Sequence, residues 1–131
     1  CLGHQAIAVA FGGTLQKHPP VHGQATPIYN TQTGLFANLP EHIEMTRYHS
    51  LVVQRNTMPS NFTVSAWTAE QAIMGLQHNT LPICGVQFHP ESVLSGPIGL
   101  SILENFTRML DVRPSVFSRH KTTDKVFGTR Q

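Results

Sequence analysis

Charge is scarce in this sequence. Asp, Glu, Lys and Arg make up 12% of its 131 residues, whereas 40% are hydrophobic. A disordered tail needs the reverse balance, so the chain reads as folded. So little charge also points to surface that meets other protein. Nine Lys+Arg against seven Asp+Glu leave a formal charge of +2 with no basic block, which excludes nucleic acid as an expected partner. Long apolar runs are missing too. None approaches the about 18 residues of a membrane span, and no charged-then-apolar leader opens the chain, so no membrane association is expected. The two cysteines, Cys1 and Cys84, are too few for a disulfide scaffold and lack CxxC spacing. A reducing, cytoplasmic setting is the default that follows. An initial Met is also lacking. With Cys at position 1, the sequence reads as processed or as a piece of something longer.

What is present fits one core at most. Residues 3–11 are Ala-rich and apolar and run into Gly12-Gly13, which predicts a short, nearly all-buried helix with a glycine stop. Residues 14–34, rich in Pro, Gly, Thr and Gln, read as loop with short strands. Ile43 to Val53 reads as strands around a turn at His49-Ser50. Phe62 to Trp67 alternates as a half-buried strand does, and Ala72–Leu76 and Ile83–Phe88 read as two more, ended by Pro90. Gly99 to Leu110 places Leu100, Leu103, Phe106 and Leu110 three and four residues apart, predicting a helix that buries that face. The polar, basic stretch after Asp111 reads as a tail or linker over 111–131. Strands with a helix at each end make the class mixed α/β.

Two clusters could do chemistry. A cysteine attacks as thiolate, which a helix N-terminus and a nearby imidazole favour. Cys1 precedes the 3–11 helix, with Gly3 allowing a tight approach. Among the eight histidines, His89 stands apart because Pro90 fixes it and Glu91 follows two residues later, placed to orient the ring as the third member of a triad. The other histidines carry blander readings. His18 and His22 have a metal-pair spacing that works only on a helix, which Pro19-Pro20 forbids. His4 reads as a packing residue, His49 as either pocket wall or polar turn, and His42, His78 and His120 as surface. Cys84 reads as a small buried hydrophobe and Trp67 as a core or sheet-face residue. The Asn61-Phe62-Thr63 and Asn105-Phe106-Thr107 acceptor patterns read as coincidence.

Cys1-Leu2-Gly3-His4-Gln5 resembles the nucleophile elbow of class I glutamine amidotransferases. Gly85-Val86-Gln87-Phe88-His89-Pro90-Glu91-Ser92 is similar to that superfamily's His-Pro-Glu signature. Thr46-Arg47-Tyr48-His49-Ser50-Leu51 resembles the segment that helps hold the glutamine. Together with Ser65-Ala66-Trp67-Thr68 and Ile73-Met74-Gly75, these motifs narrow the likeness to the glutaminase subunits of anthranilate and aminodeoxychorismate synthases. The resemblance spans residues 1–110. It implies a flavodoxin-like fold, a mostly parallel sheet flanked by helices, of which these residues would be the C-terminal part. By the same likeness Cys1 is the nucleophile, His89 the general base and acid, and Glu91 the group orienting His89. The Leu2 backbone N–H would supply an oxyanion donor, while Gln5 and the backbone of Ser50 and Leu51 would grip L-glutamine. No cofactor or metal is implied, and the implied partner is a chorismate-binding synthase subunit, in a heterodimer or higher assembly.

The family's second oxyanion donor comes from a Gly-Pro-Gly-type loop, and no such motif occurs in these residues. The sequence therefore reads as the back part of a domain of roughly 190 residues, inactive alone. Two rival readings stand beside this one. Cys1 could be an N-terminal nucleophile using its own amino group as base, or the chain could be a non-catalytic binding module on the same scaffold.

Overall fold

The computed structural model describes residues 1–110. Helix α1 (Leu2–Ala10) opens it, strands β1 (Leu15–Asn30), β2 (His42–Val53), β3 (Phe62–Trp67), β4 (Ile73–His78) and β5 (Cys84–Val86) follow, and helix α2 (Gly96–Leu110) closes it. The strands form one sheet in the order β2-β1-β3-β4-β5. The mixed α/β class stands, but the expected parallel sheet is not what these residues form, since each of the four pairings is antiparallel. The connections explain this. Parallel neighbours need a crossover of a dozen or so residues, usually a helix, and both described helices lie outside the strand run.

Several boundaries differ from those the sequence predicts. The Pro- and Gly-rich stretch belongs largely to one long strand, β1, whose register against β2 slips between Lys17 and Val21 and again between His22 and Gln24. Pro19-Pro20 occupies the first slip, where no ladder N–H is required, and Gly23 the second, at φ +71°. Strand β2 runs through His49-Ser50 without turning, because His49 pairs with Val21 and Leu51 with Lys17.

Two clusters form the core. Ile28, Phe36, Met45, Val52, Phe88 and Ile102 belong to one, and Ala8, Val53, Phe62, Ile73 and Leu76 to the other. Adjacent strand residues point to opposite faces, so Val52 and Val53 place the clusters on either side of β2. Ala8 brings α1 to one and Ile102 brings α2 to the other.

Both helices bury less than their sequences suggest. Helix α1 buries only His4, Gln5 and Ala8, while Leu2 and Val9 are exposed. It ends as expected, with Gly12 at φ +101° and the Gly13 N–H donating to Ala8 O at 2.8 Å. Helix α2 buries Gly99, Ile102 and Asn105 rather than the predicted face, and Leu100, Leu103, Phe106 and Leu110 are exposed. Two contacts choose the face. Gly99 lets the backbone press against Pro90, and Asn105 Nδ2 donates to Leu35 O and Ala37 O at 2.8 and 3.0 Å. His78, expected at the surface, is buried instead. Its Nδ1 accepts from Leu81 N–H at 3.0 Å, and its ring lies edge-on to Phe62. Residues 111–131, read as a tail or linker, and His120 within them, lie outside the described residues.

Candidate active site

Cys1 sits at the N-cap of α1, its carbonyl accepting from Gln5 N–H at 3.1 Å. The first amides of a helix have no intrahelical acceptor and carry its positive dipole end, so this position favours a thiolate. The Cys1 backbone nitrogen donates to Val86 O at 2.9 Å, tying the helix start to β5. Close approach of α1 to β5 depends on Gly85. A Cβ there would stand 2.9 Å from His4 Cα, whereas an added Cβ at Gly3 would meet nothing within 4 Å. The tight contact expected of Gly3 is therefore made at Gly85, on the opposing strand. His4 is packed beneath it, 2% exposed, with neither ring nitrogen partnered, and burial pushes its pKa down to about 4.

The Cys1 thiol donates to Tyr48 O at 3.7 Å, and Sγ accepts from Gln87 Nε2 at 3.1 Å. Its hydrogen-bond partners among the described residues are thus Tyr48 and Gln87, not His89. His89 lies two residues beyond Gln87, with its ring edge-on to that of Tyr48, centroids 5.3 Å apart.

His89 is fixed at four points. Its N–H donates to Thr46 O at 2.8 Å, and its carbonyl accepts from Ser95 Oγ at 2.7 Å. Its ring meets Tyr48, and Nδ1 donates to Glu91 Oε2 at 2.8 Å. That last bond leaves Nε2 as the nitrogen free to exchange a proton. Partial burial works against ionisation of Glu91. The hydrogen bond from His89, the Glu91 backbone amide and nearby positive charge outweigh it, and hold the carboxyl below its usual range. A carboxyl so depressed stays ionised to lower pH than an ordinary one, and the contact fades as pH falls through its lowered pKa.

The residues expected to grip substrate fall into two groups. Gln5 is buried, and its Nε2 donates to Leu51 O at 3.4 Å and to Gln87 Oε1 at 3.3 Å. Leu2, Ser50 and Leu51 are exposed. His49, open between wall and turn on sequence grounds, is a buried strand residue whose Nδ1 donates to Leu51 O at 3.2 Å. Its pKa is pushed down to about 4, by burial first and then by the Arg47 charge. His18 and His22 both lie on β1, and among the described residues no three His, Cys, Asp or Glu side chains are placed to hold a metal ion. Cys84 is half-buried against the core, which pushes its thiol pKa up. No helix of the described residues is long and apolar enough to cross a membrane.

Three contributors escape sequence reasoning. Gln87 is fully buried and joins Cys1 to Gln5, and a polar residue amid an apolar strand run is the available signal. Ser95 ties α2's lead-in to His89, and Tyr48 bridges Cys1 and His89. Tyr48 depends in turn on the Gly23 bulge, where an added Cβ would sit 2.8 Å from its Oη. Gly23→Ala is expected to cost about 1–2 kcal/mol from positive φ alone. The urea midpoint should fall with its slope unchanged.

Comparison with known proteins identifies the family. The family model for class-I glutamine amidotransferase matches residues 1–110. Anthranilate synthase component 2 of Pseudomonas putida is 46% identical over 114 residues, covering 82% of this chain and 57% of that protein. Aminodeoxychorismate synthase component 2 of Escherichia coli (strain K12) is 47% identical over 107 residues, covering 81% and 57%. The chain thus spans a little over half the length of these relatives. A solved structure of a Thermoplasma acidophilum protein, described as a candidate GMP synthase subunit, superposes with a TM-score of 0.77 at 29% identity, over 92% of this chain and 58% of that one. A glutamine amidotransferase from Thermotoga maritima shares the fold, with a TM-score of 0.60 at 15% identity over 93% and 54%. With the matched family model covering every described residue, the chain belongs to the class-I glutamine amidotransferases.

Proposed function

We propose that this chain carries the Cys-His-Glu centre of a glutaminase subunit, which hydrolyses L-glutamine and hands ammonia to a chorismate-using synthase subunit. The observation that carries the reading is the convergence where the two outer strands of the sheet meet, His89 just beyond β5 bridging to Thr46 on β2. The Cys1 thiol at a helix N-terminus contacts Gln87 and Tyr48, and beside Tyr48 lies His89 with Nδ1 bound to Glu91 at 2.8 Å.

The chemistry follows from these groups. His89 Nε2 takes the proton of the Cys1 thiol, and the thiolate attacks the side-chain amide carbon of glutamine. Negative charge moves onto the amide oxygen, and the Leu2 N–H is the donor assigned to receive it. The C–N bond then breaks, His89 returns its proton to the departing nitrogen, and ammonia leaves a glutamyl thioester on Cys1. Water, deprotonated by His89, attacks the thioester and releases glutamate with the thiol restored. Glu91 stabilises the imidazolium formed in each half. Gln5 and the backbone of Ser50 and Leu51 hold the amino-acid end of the substrate. No step requires a cofactor, and a cytoplasmic setting keeps the thiol reduced.

The assay is glutamate release from glutamine by the full-length polypeptide carrying these residues, measured alone and then with a chorismate-binding synthase partner present. Acid quench should trap a covalent glutamyl adduct on Cys1. Absence of turnover under both conditions would refute the reading.

A further inference from the structure

Arg47 is a buried cation, 5% exposed, and its neighbours are unusual for one. Its guanidinium donates to His49 Nε2 through Nε at 3.0 Å, to Thr26 Oγ1 through Nη1 at 3.5 Å, and to His18 Nε2 through Nη2 at 3.5 Å. Guanidinium only donates, so His49 Nε2 must be the bare, accepting nitrogen. The proton of the neutral ring then sits on Nδ1, which faces Leu51 O at 3.2 Å, and a carbonyl can only accept. His18 obeys the same rule, with Nδ1 donating to Pro19 O at 2.7 Å and Nε2 left for Arg47.

We propose that Arg47 is a positioning residue of the glutamine site, locking His49 in its Nδ1–H tautomer so that the imidazole fixes the Leu51 carbonyl. The inference rests on the glutaminase reading for its substrate, and on geometry for the lock. Leu51 O accepts from two sides, from His49 on its own strand and from Gln5 Nε2 at 3.4 Å on α1. Those two bonds set the orientation of Leu51 relative to the helix that carries Cys1. In the glutaminase mechanism, the Ser50–Leu51 backbone holds the amino-acid end of glutamine. Without Arg47 the His49 proton is free to sit on Nε2, which turns a bare nitrogen toward Leu51 O and repels it. Burial and the Arg47 charge also keep the ring from protonating, consistent with its pKa of about 4.

The test separates a lock from a mere structural role. Arg47→Met in the full-length chain is expected to raise KM for glutamine about tenfold with kcat unchanged, the size of one charge-assisted hydrogen bond. His49→Asn places a fixed amide donor where Nδ1 was, so it should keep KM near the original value. In that background Arg47→Met should add little. An equal KM rise in both backgrounds, or a fall in kcat with KM unchanged, overturns the proposal. The unmutated protein gives a second readout that needs neither turnover nor a folded variant. Imidazole ¹⁵N–¹H correlation spectra at neutral pH should show His49 protonated on Nδ1, and an Nε2–H or doubly protonated ring overturns the lock. If the full-length chain fails to hydrolyse glutamine at all, the glutaminase reading falls, and the tautomer still decides the Arg47–His49 pairing.

Discussion

Replacing Cys1 by Ser in the full-length chain should lower kcat for glutamine hydrolysis by about 10⁶-fold, to the assay background, because a serine at this site lacks the thiolate that forms the thioester. His89→Ala should cost a similar amount, and the double variant little more than either alone, as residues acting in one proton relay are not additive. Glu91→Gln should lose about 10⁴-fold while leaving the fold intact. Its amide keeps the shape of the carboxylate but cannot stabilise imidazolium, and it presents either a donor or an acceptor to Nδ1. The 2.8 Å contact between His89 Nδ1 and Glu91 Oε2 is what this variant removes. The rivals predict otherwise. An N-terminal nucleophile using its own amino group would keep its rate in His89→Ala, and a non-catalytic module would show no turnover to lose. Rapid-quench measurement of the acyl-enzyme in Glu91→Gln locates the loss. Slower formation and slower breakdown together would fit His89 serving both halves of the reaction, and a kcat within tenfold of the unmutated protein would sink the role assigned to Glu91.

Much of the site is legible because its parts are short and local. Cys1 before an apolar, glycine-stopped run, and His89 fixed by Pro90 with Glu91 two residues on, are statements about neighbours in sequence. The structure keeps both, with α1 starting at Leu2 and the His89–Glu91 contact formed within one turn. How the two come together is not a matter of neighbours. Gln87 reaches Cys1 across 86 positions, and Tyr48 O reaches the thiol across 47. Such contacts depend on strand register, which a one-residue slip would reverse.

The misread elements share a cause. Proline and glycine suggest loop broken by short strands over 14–34, yet an antiparallel strand tolerates both where its register slips and runs on as one element. Helix α2 carries apolar residues on more than one face, so periodicity alone cannot choose between them. The choice is made by Gly99 and Asn105, residues that a hydrophobicity pattern counts as neutral or polar. The predicted face remains open instead, and Leu100 and Leu103 line a groove of about 380 Å³ beside Pro90 and Glu91. His78 reads as a surface residue for a related reason, since its ring packs edge-on to Phe62 while its Nδ1 accepts from the backbone of the turn that follows, contacts no hydrophobicity pattern shows.

Gly99→Ala should disable the site without touching any group that meets substrate. A Cβ at this position would overlap Pro90 O and stand 3.0 Å from both Pro90 C and Ser95 Cβ. Backbone atoms cannot swing aside as a side-chain tip can. Either α2 lifts off the sheet or the His89-Pro90-Glu91 turn moves. Ala gains about 1 kcal/mol of helix propensity over Gly, and forcing a methyl into packed backbone costs about 1–3 kcal/mol or more. The balance is a net loss of up to about 2 kcal/mol, read as a lower urea midpoint at constant slope. The second effect is larger. His89 is held at its carbonyl by Ser95 Oγ at 2.7 Å and at its N–H by Thr46 O, so a shift of Pro90 or Ser95 moves the imidazole relative to Cys1. Misplacing a catalytic group by about 1 Å is worth about 10²-fold, so kcat should fall by that order even in molecules that remain folded. Thr107→Ala, on the exposed side of the same helix, should change stability by no more than about 0.5 kcal/mol and leave kcat alone. If Gly99→Ala proves as stable and as active as the unmutated protein, α2 does not press on the turn as the structure has it, and the support assigned to His89 through Ser95 fails with it.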